Sequence, residues 1–93
     1  EMNTKGMLDY REKINEIDSM LLNLLEKRFQ VCRKISSYKK KNNLPIEDLE
    51  REKQIIQDKI NKINKSNLSK EFTVNLFQLI FKESKKLQEN DSI

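Results

Sequence analysis

An arginine stands in an apolar row of this sequence. Counting by alternating helical steps gives Ile14, Ile17, Leu21, Leu24, Arg28, Val31, Ile35 and Tyr38, seven apolar or aromatic residues and one guanidinium. An arginine does not lose its charge, so on a buried face it needs an anion, and no acidic residue interrupts the row. A bound anionic ligand would fill that role. Further polar groups that could line a pocket for a small anion follow in the chain: the cations Lys39 and Arg51, the carboxylates Asp48 and Glu52, and the hydrogen-bonding Ser84 and Gln88. There is no histidine and one cysteine, so a zinc site and the Cys–His and Ser–His–Asp nucleophiles are excluded, as is a glycine-rich nucleotide loop in a chain with one glycine. Catalysis must fall to Arg, Lys, Asp, Glu, Ser and Gln, and neither metal nor cofactor is expected.

The elements that must position these groups are helices. One glycine and one proline leave little turn chemistry for sheets, so the fold class is all-α, with three helices in a single domain over residues 1–93. The first is expected over about 8–41, ended by "NNLP", where Pro45 restricts Leu44. Such a helix is roughly 50 Å long, against a radius of gyration of ~12 Å for a compact domain of this size. The second is expected over about 46–65, with a row of Leu49, Ile56, Ile60 and Ile63 and with Glu47, Asp48 and Glu50 near its positive end. "NKSNLSKE" breaks it. Ser69 can cap a third helix over about 69–89, whose inward stripe is Thr73, Leu76, Phe77, Ile80, Ser84 and Leu87, before "ENDSI" frays.

These helices place the polar groups on shared faces. Arg28 and Lys39 are eleven residues apart, which returns them to within about 20° of one another. Asp48, Arg51 and Glu52 lie at i, i+3 and i+4, and Gln88 follows Ser84 by one turn. Arg11 is different: it precedes Arg28 by seventeen residues, roughly 25 Å along the helix and about 100° around it. It can join the same small ligand only from a second, antiparallel copy. Together with the length of the first helix, this leads to an intertwined helical homodimer with sites built from both chains. Taken singly, each group has a plainer account: Arg28 in a salt bridge between helices, Lys39 at a solvated helix end, Asp48, Arg51 and Glu52 in an exposed i,i+4 network. Those accounts give no reason for the groups to fall on converging faces.

Composition narrows the partners. The net charge is +4, but acidic residues interleave with the basic ones and aromatics are 6%, so no nucleic acid is expected to bind. No run approaches the roughly 18 apolar residues of a membrane span, and "EMNTKGMLDY" lacks the core of a secretory signal. With Cys32 alone no intrachain disulfide forms, and the expected location is the cytoplasm. Glu1 ahead of Met2 leaves open whether it is native. No stretch reads as an effector-binding region, and the chain is expected to be either monofunctional or a segment of a larger protein.

In "LDYREKINEIDSMLLNLLEKR", "KISSYKKKNNLPIEDLEREKQII" and "LFQLIFKESKKLQ" the chain resembles the all-helical, AroQ-type chorismate mutases, in particular the N-terminal domain of bacterial bifunctional enzymes. The resemblance covers about residues 7–90. It implies the rearrangement of chorismate to prephenate, in phenylalanine and tyrosine biosynthesis, without covalent intermediate. It assigns the substrate's two carboxylates to Arg28 and to Arg11 of the partner subunit, with Arg51 and Ser84 completing that shell. Lys39 and Gln88 would donate to the ether oxygen, and Glu52 with the neighbourhood of Asp48 would receive the ring hydroxyl. Two alternatives stay open: a relative on the same scaffold that eliminates pyruvate from isochorismate, and a non-enzymatic helical regulatory module.

Overall fold

The computed structural model describes residues 2–90, and side chains for residues 4–89. Three helices follow one another: α1 (Met2–Lys41), α2 (Leu49–Lys62) and α3 (Lys70–Asn90), with no strand among the described residues. The chain divides into two compact units between Val31 and Cys32. The first holds most of α1; the second holds its last turns, α2 and α3.

α1 begins earlier than the expected Leu8. The segment ahead of Leu8 holds no proline, and Gly6, with nothing within 4 Å of an added Cβ, is a small cost carried by a long helix. Its C-terminus is set by a Schellman motif. Asn43 has φ 56°, the left-handed conformation that asparagine tolerates better than most residues. Leu44 N–H donates to the Lys39 carbonyl at 2.8 Å and Asn43 N–H to that of Lys40 at 3.3 Å, while Asn42 Nδ2 donates to the Tyr38 carbonyl at 2.8 Å. Three lysines, 39 to 41, complement the negative end of the helix.

α2 is shorter than expected at both ends. Asp48 is its N-cap, accepting the Arg51 N–H on Oδ1 at 3.0 Å, so Ile46 and Glu47 stay outside the helix. At the far end Ser66 donates both N–H and hydroxyl to the Ile63 carbonyl, at 2.8 and 2.9 Å, and closes a turn where the expectation continued the helix to 65. Ser69 caps α3 as expected, accepting the Phe72 N–H on Oγ at 3.0 Å. α3 runs through Asn90, one residue past the expected end, and the rest of the "ENDSI" tail, residues 91–93, where fraying is expected, lies outside the described residues.

Packing departs from the sequence pattern most clearly on α1. Of its apolar row, Ile14, Ile17, Leu21, Leu24, Ile35 and Tyr38 are 45–63% exposed. In the second unit the inward line of α1 is half-buried Cys32 and buried Ser36, one helical turn apart, with Cys32 against Ser84 of α3. Among the described residues the buried apolar side chains are Ile80 and Phe81 on α3, and Thr73, Ser84 and Gln88 are buried beside them. Phe77 meets Phe81 with ring centroids 6.2 Å apart, a tilted aromatic pair. Ile56, Ile60 and Ile63 of α2 are half-buried, whereas Leu49, expected in that row, is 58% exposed because it stands at the first position of the helix.

The cap at residue 43 gives a direct test. Asn43→Gly should leave the melting temperature equal or higher, and Asn43→Val should cost about 1–2 kcal/mol, since a β-branched residue is strained at positive φ. Chemical denaturation of the three proteins measures the difference.

Candidate active site

Six of the eight candidate residues fall in the second unit. Lys39, in the last turn of α1, sends Nζ to the Ile46 carbonyl at 3.1 Å, which ties the helix end to the segment ahead of α2. An ammonium carries three donors, so two stay free for another acceptor. Asp48 uses one carboxylate oxygen on the α2 N-cap. Arg51, in the first turn of α2, is exposed, and Glu52 beside it is half-buried.

Ser84 and Gln88 are anchored on the same residue of α1. Ser84 Oγ lies 3.8 Å from Cys32 Sγ, and Gln88 Nε2 donates to the Cys32 carbonyl at 3.4 Å. Both are buried, at 7% and 8% exposure. Burying polar side chains is costly unless they are bonded, so their position is held by what they donate to. The Gln88 carboxamide retains a second N–H. Lys40 Nζ reaches the Gln88 main-chain carbonyl at 3.4 Å, a further tie between α1 and α3.

The residue that sequence reasoning did not single out is Lys85. Its ammonium bridges two acids, Glu52 Oε2 at 3.1 Å and Glu47 Oε1 at 3.2 Å. Hydrogen bonding to Glu52, against the opposing effect of burial and with help from Glu47, holds the Lys85 ammonium above its ordinary pKa of 10.5. What this pair adds to the fold is therefore complete below the unfolded lysine range and lost only as pH rises through the raised value. In "KESKKLQ" this lysine reads as one of a solvated run. The signal that distinguishes it is spacing: Phe81, Lys85 and Gln88 stand at i, i+4 and i+7. Glu52, Phe81 and Lys85 also line a cavity of about 480 Å³, together with Lys82, Lys86 and Glu89.

Arg11 and Arg28 belong to the first unit. Arg11 is exposed and, with Thr4, Met7 and Leu8, lines a shallow recess of about 330 Å³ on α1, while Arg28 is half-buried. Seventeen residues of helix separate them by roughly 25 Å, so one small ligand cannot hold both from one chain.

Ser36 is the most deeply buried side chain, at 1% exposure, and its Oγ has no hydrogen-bond partner among the described residues. A helical serine ordinarily bonds the carbonyl four residues back. Here that carbonyl belongs to Cys32 and receives Gln88 instead. Ser36→Ala should accordingly raise stability by about 1 kcal/mol, read as a higher midpoint in urea, because it removes a hydroxyl that is desolvated without compensation.

The comparisons with known proteins agree on one family. Residues 10–89 match the family model described as chorismate mutase type II. The bifunctional chorismate mutase/prephenate dehydratase of Buchnera aphidicola subsp. Schizaphis graminum is 42% identical over 78 residues, covering 84% of this chain and 20% of that protein. The chain thus spans about a fifth of the length of such bifunctional relatives. The chorismate mutase of Methanocaldococcus jannaschii is 34% identical over 83 residues, 88% of this chain and 83% of that one. A solved structure, chorismate mutase (form II) from Thermus thermophilus, matches with a TM-score of 0.84 at 24% identity, over 92% of this chain and 97% of that one. At that identity the last comparison bears on the fold alone, which is the all-α arrangement expected.

Proposed function

From the premise that the chain belongs to the chorismate mutase type II family, we propose that it converts chorismate to prephenate, in an active site shared between two copies. The observation that carries this reading is the family match over residues 10–89, a span that contains all eight candidate residues.

The chemistry suits the groups available. Chorismate is a compact dianion with an enolpyruvyl ether and a ring hydroxyl. In the Claisen rearrangement the ether C–O bond breaks as a C–C bond forms within the same molecule, so no nucleophile, oxidant or cofactor takes part. Negative charge builds on the ether oxygen, and the flexible side chain must fold over the ring. Catalysis then consists of conformational restriction and preorganised electrostatics.

The proposed roles follow. Arg28 and Arg11 of the partner subunit hold the two carboxylates, and Arg51 and Ser84 complete that shell. Lys39 and Gln88 donate to the ether oxygen, where a hydrogen bond strengthens as charge develops. The spare donors left after their bonds to Ile46 and Cys32 support these roles. Glu52, with the neighbourhood of Asp48, accepts from the ring hydroxyl. Supporting a homodimer are the apolar side chains of α1 that one chain leaves about half exposed or more, from Ile14 to Leu24. A second copy would cover them and supply Arg11. No described helix is long and apolar enough to cross a membrane, and for a chain with a single cysteine we assign the cytoplasm as its location.

Loss of chorismate's ultraviolet absorbance, with identification of the product, tests the activity. Prephenate is the expected product; pyruvate released faster from isochorismate would move the assignment to the lyase relative, and no turnover of either by a folded dimer would leave a binding module. Arg28→Ala should lower kcat/KM by about 10³-fold or more with helicity retained by circular dichroism; full activity would remove Arg28 from the site. When inactive Arg11→Ala and Arg28→Ala subunits are mixed and refolded, each heterodimer should contain one intact site. Random pairing then restores about a quarter of wild-type activity. Heterodimers without activity would refute the shared site.

A further inference from the structure

We propose that Lys85 is a positioning residue for the reaction, holding the Glu52 carboxylate in the orientation that receives the substrate's ring hydroxyl. The proposal rests on the chorismate mutase reading above and deepens it.

Three observations carry it. Glu52 stands in the first turn of α2, and its Oε2 is held by Lys85 of α3 at 3.1 Å, which leaves Oε1 and a second site on Oε2 able to accept. A glutamate side chain has three rotatable bonds, so a carboxylate held at one oxygen has lost most of the freedom that would otherwise oppose binding. Second, the same ammonium holds Glu47 Oε1 at 3.2 Å. Glu47 lies in the segment between the Lys39 acceptor, Ile46, and the α2 cap, Asp48. One lysine thus fixes the carboxylate and steadies the stretch of chain beside it. Third, Glu52 and Lys85 share the wall of a recess of about 480 Å³ between α2 and α3, so the pair meets across the two helices at an open surface where the carboxylate is reachable.

A purely structural role predicts little. The Lys85 side chain is 34% exposed and that of Glu52 24%, and ion pairs this accessible to water add little to stability. A role as a general attractor of the dianionic substrate predicts a change in KM alone, since it would favour ground state and transition state equally. Orientation of Glu52 predicts a change in kcat that vanishes once Glu52 is gone.

The experiment compares kcat and KM on chorismate for the wild type, Lys85→Met, Lys85→Arg, Glu47→Gln, Glu52→Gln and the Lys85→Met/Glu52→Gln double variant, with helicity checked for each. Lys85→Met should lower kcat/KM about 10-fold, chiefly through kcat, and Lys85→Arg should recover most of it. Glu47→Gln should stay near wild type. In the Glu52→Gln background, Lys85→Met should add no further loss. A Lys85→Met enzyme within two-fold of wild type, a loss confined to KM, or full additivity with Glu52→Gln would each overturn the positioning role. If Lys85→Met loses helicity, Lys85→Gln takes its place in the same cycle. A wild-type protein that does not turn over chorismate overturns the reading beneath the proposal; an active wild type indifferent to Lys85 overturns the proposal alone.

Discussion

The structure depends on how buried polar groups are paired along α3. Ser84 and Gln88 are as buried as the apolar Ile80 and Phe81 beside them. Removing a hydroxyl and a carboxamide from water costs more than leaving an isoleucine exposed, so such groups persist only where something holds them. Here the holder is a single residue of α1, whose thiol meets Ser84 and whose main-chain carbonyl receives Gln88. That choice has a local cost, because the carbonyl that Ser36 would ordinarily use is occupied. The polar face of α3 is therefore built around the last turns of α1, while α2 packs directly against α3 and is tied to it by Lys85.

The same economy explains where the apolar side chains go. α1 carries a row long enough to serve a core, yet within one chain it remains about half exposed or more, while the line beside it, Cys32 and Ser36, turns inward. That exposed row is the surface the proposed second copy would cover. Charged groups on the short helix α2 follow a different rule. Asp58 is held below the ordinary carboxylate range by Lys59 and Lys62, at 3.0 and 3.3 Å, and this solvated cluster has no part in the pocket.

Much of this was legible in the sequence, for reasons that can be named. Helix number and order follow from periodicity with one glycine and one proline, and Ser69 was readable as a cap because its hydroxyl precedes an apolar stripe. The bounds of α2 were less legible. Acids at 47, 48 and 50 all favour a helix start, and only geometry selects Asp48 as the cap. The burial of Ser84 and its placement one turn from Gln88 were visible from the stripe, because i,i+4 spacing fixes a face whatever lies opposite. Lys85 was missed because it stands among lysines: its spacing from Phe81 and Gln88 places it on their face of α3, but its partners, Glu47 and Glu52, lie more than thirty residues earlier in the chain. Nor does periodicity tell which of two adjacent lines on α1 turns inward, because a 100° step places Cys32 and Val31 almost equally well.

The connection between α2 and α3 has a consequence for the order in which the chain folds. Residues 63–69 turn the backbone with bonds made among themselves, Ser66 to Ile63 and Leu68 to Ser66, and Ser69 then starts the next helix. Closing so short a loop costs little chain entropy, and contacts local in sequence form soonest. The α2–α3 hairpin is thus the early-forming part. The ties from Cys32 to Ser84 and Gln88 span more than fifty residues and come later. The fixed arrangement of the second unit's polar side chains thus rests on a chain closure far longer than any its helices or their connecting turn require.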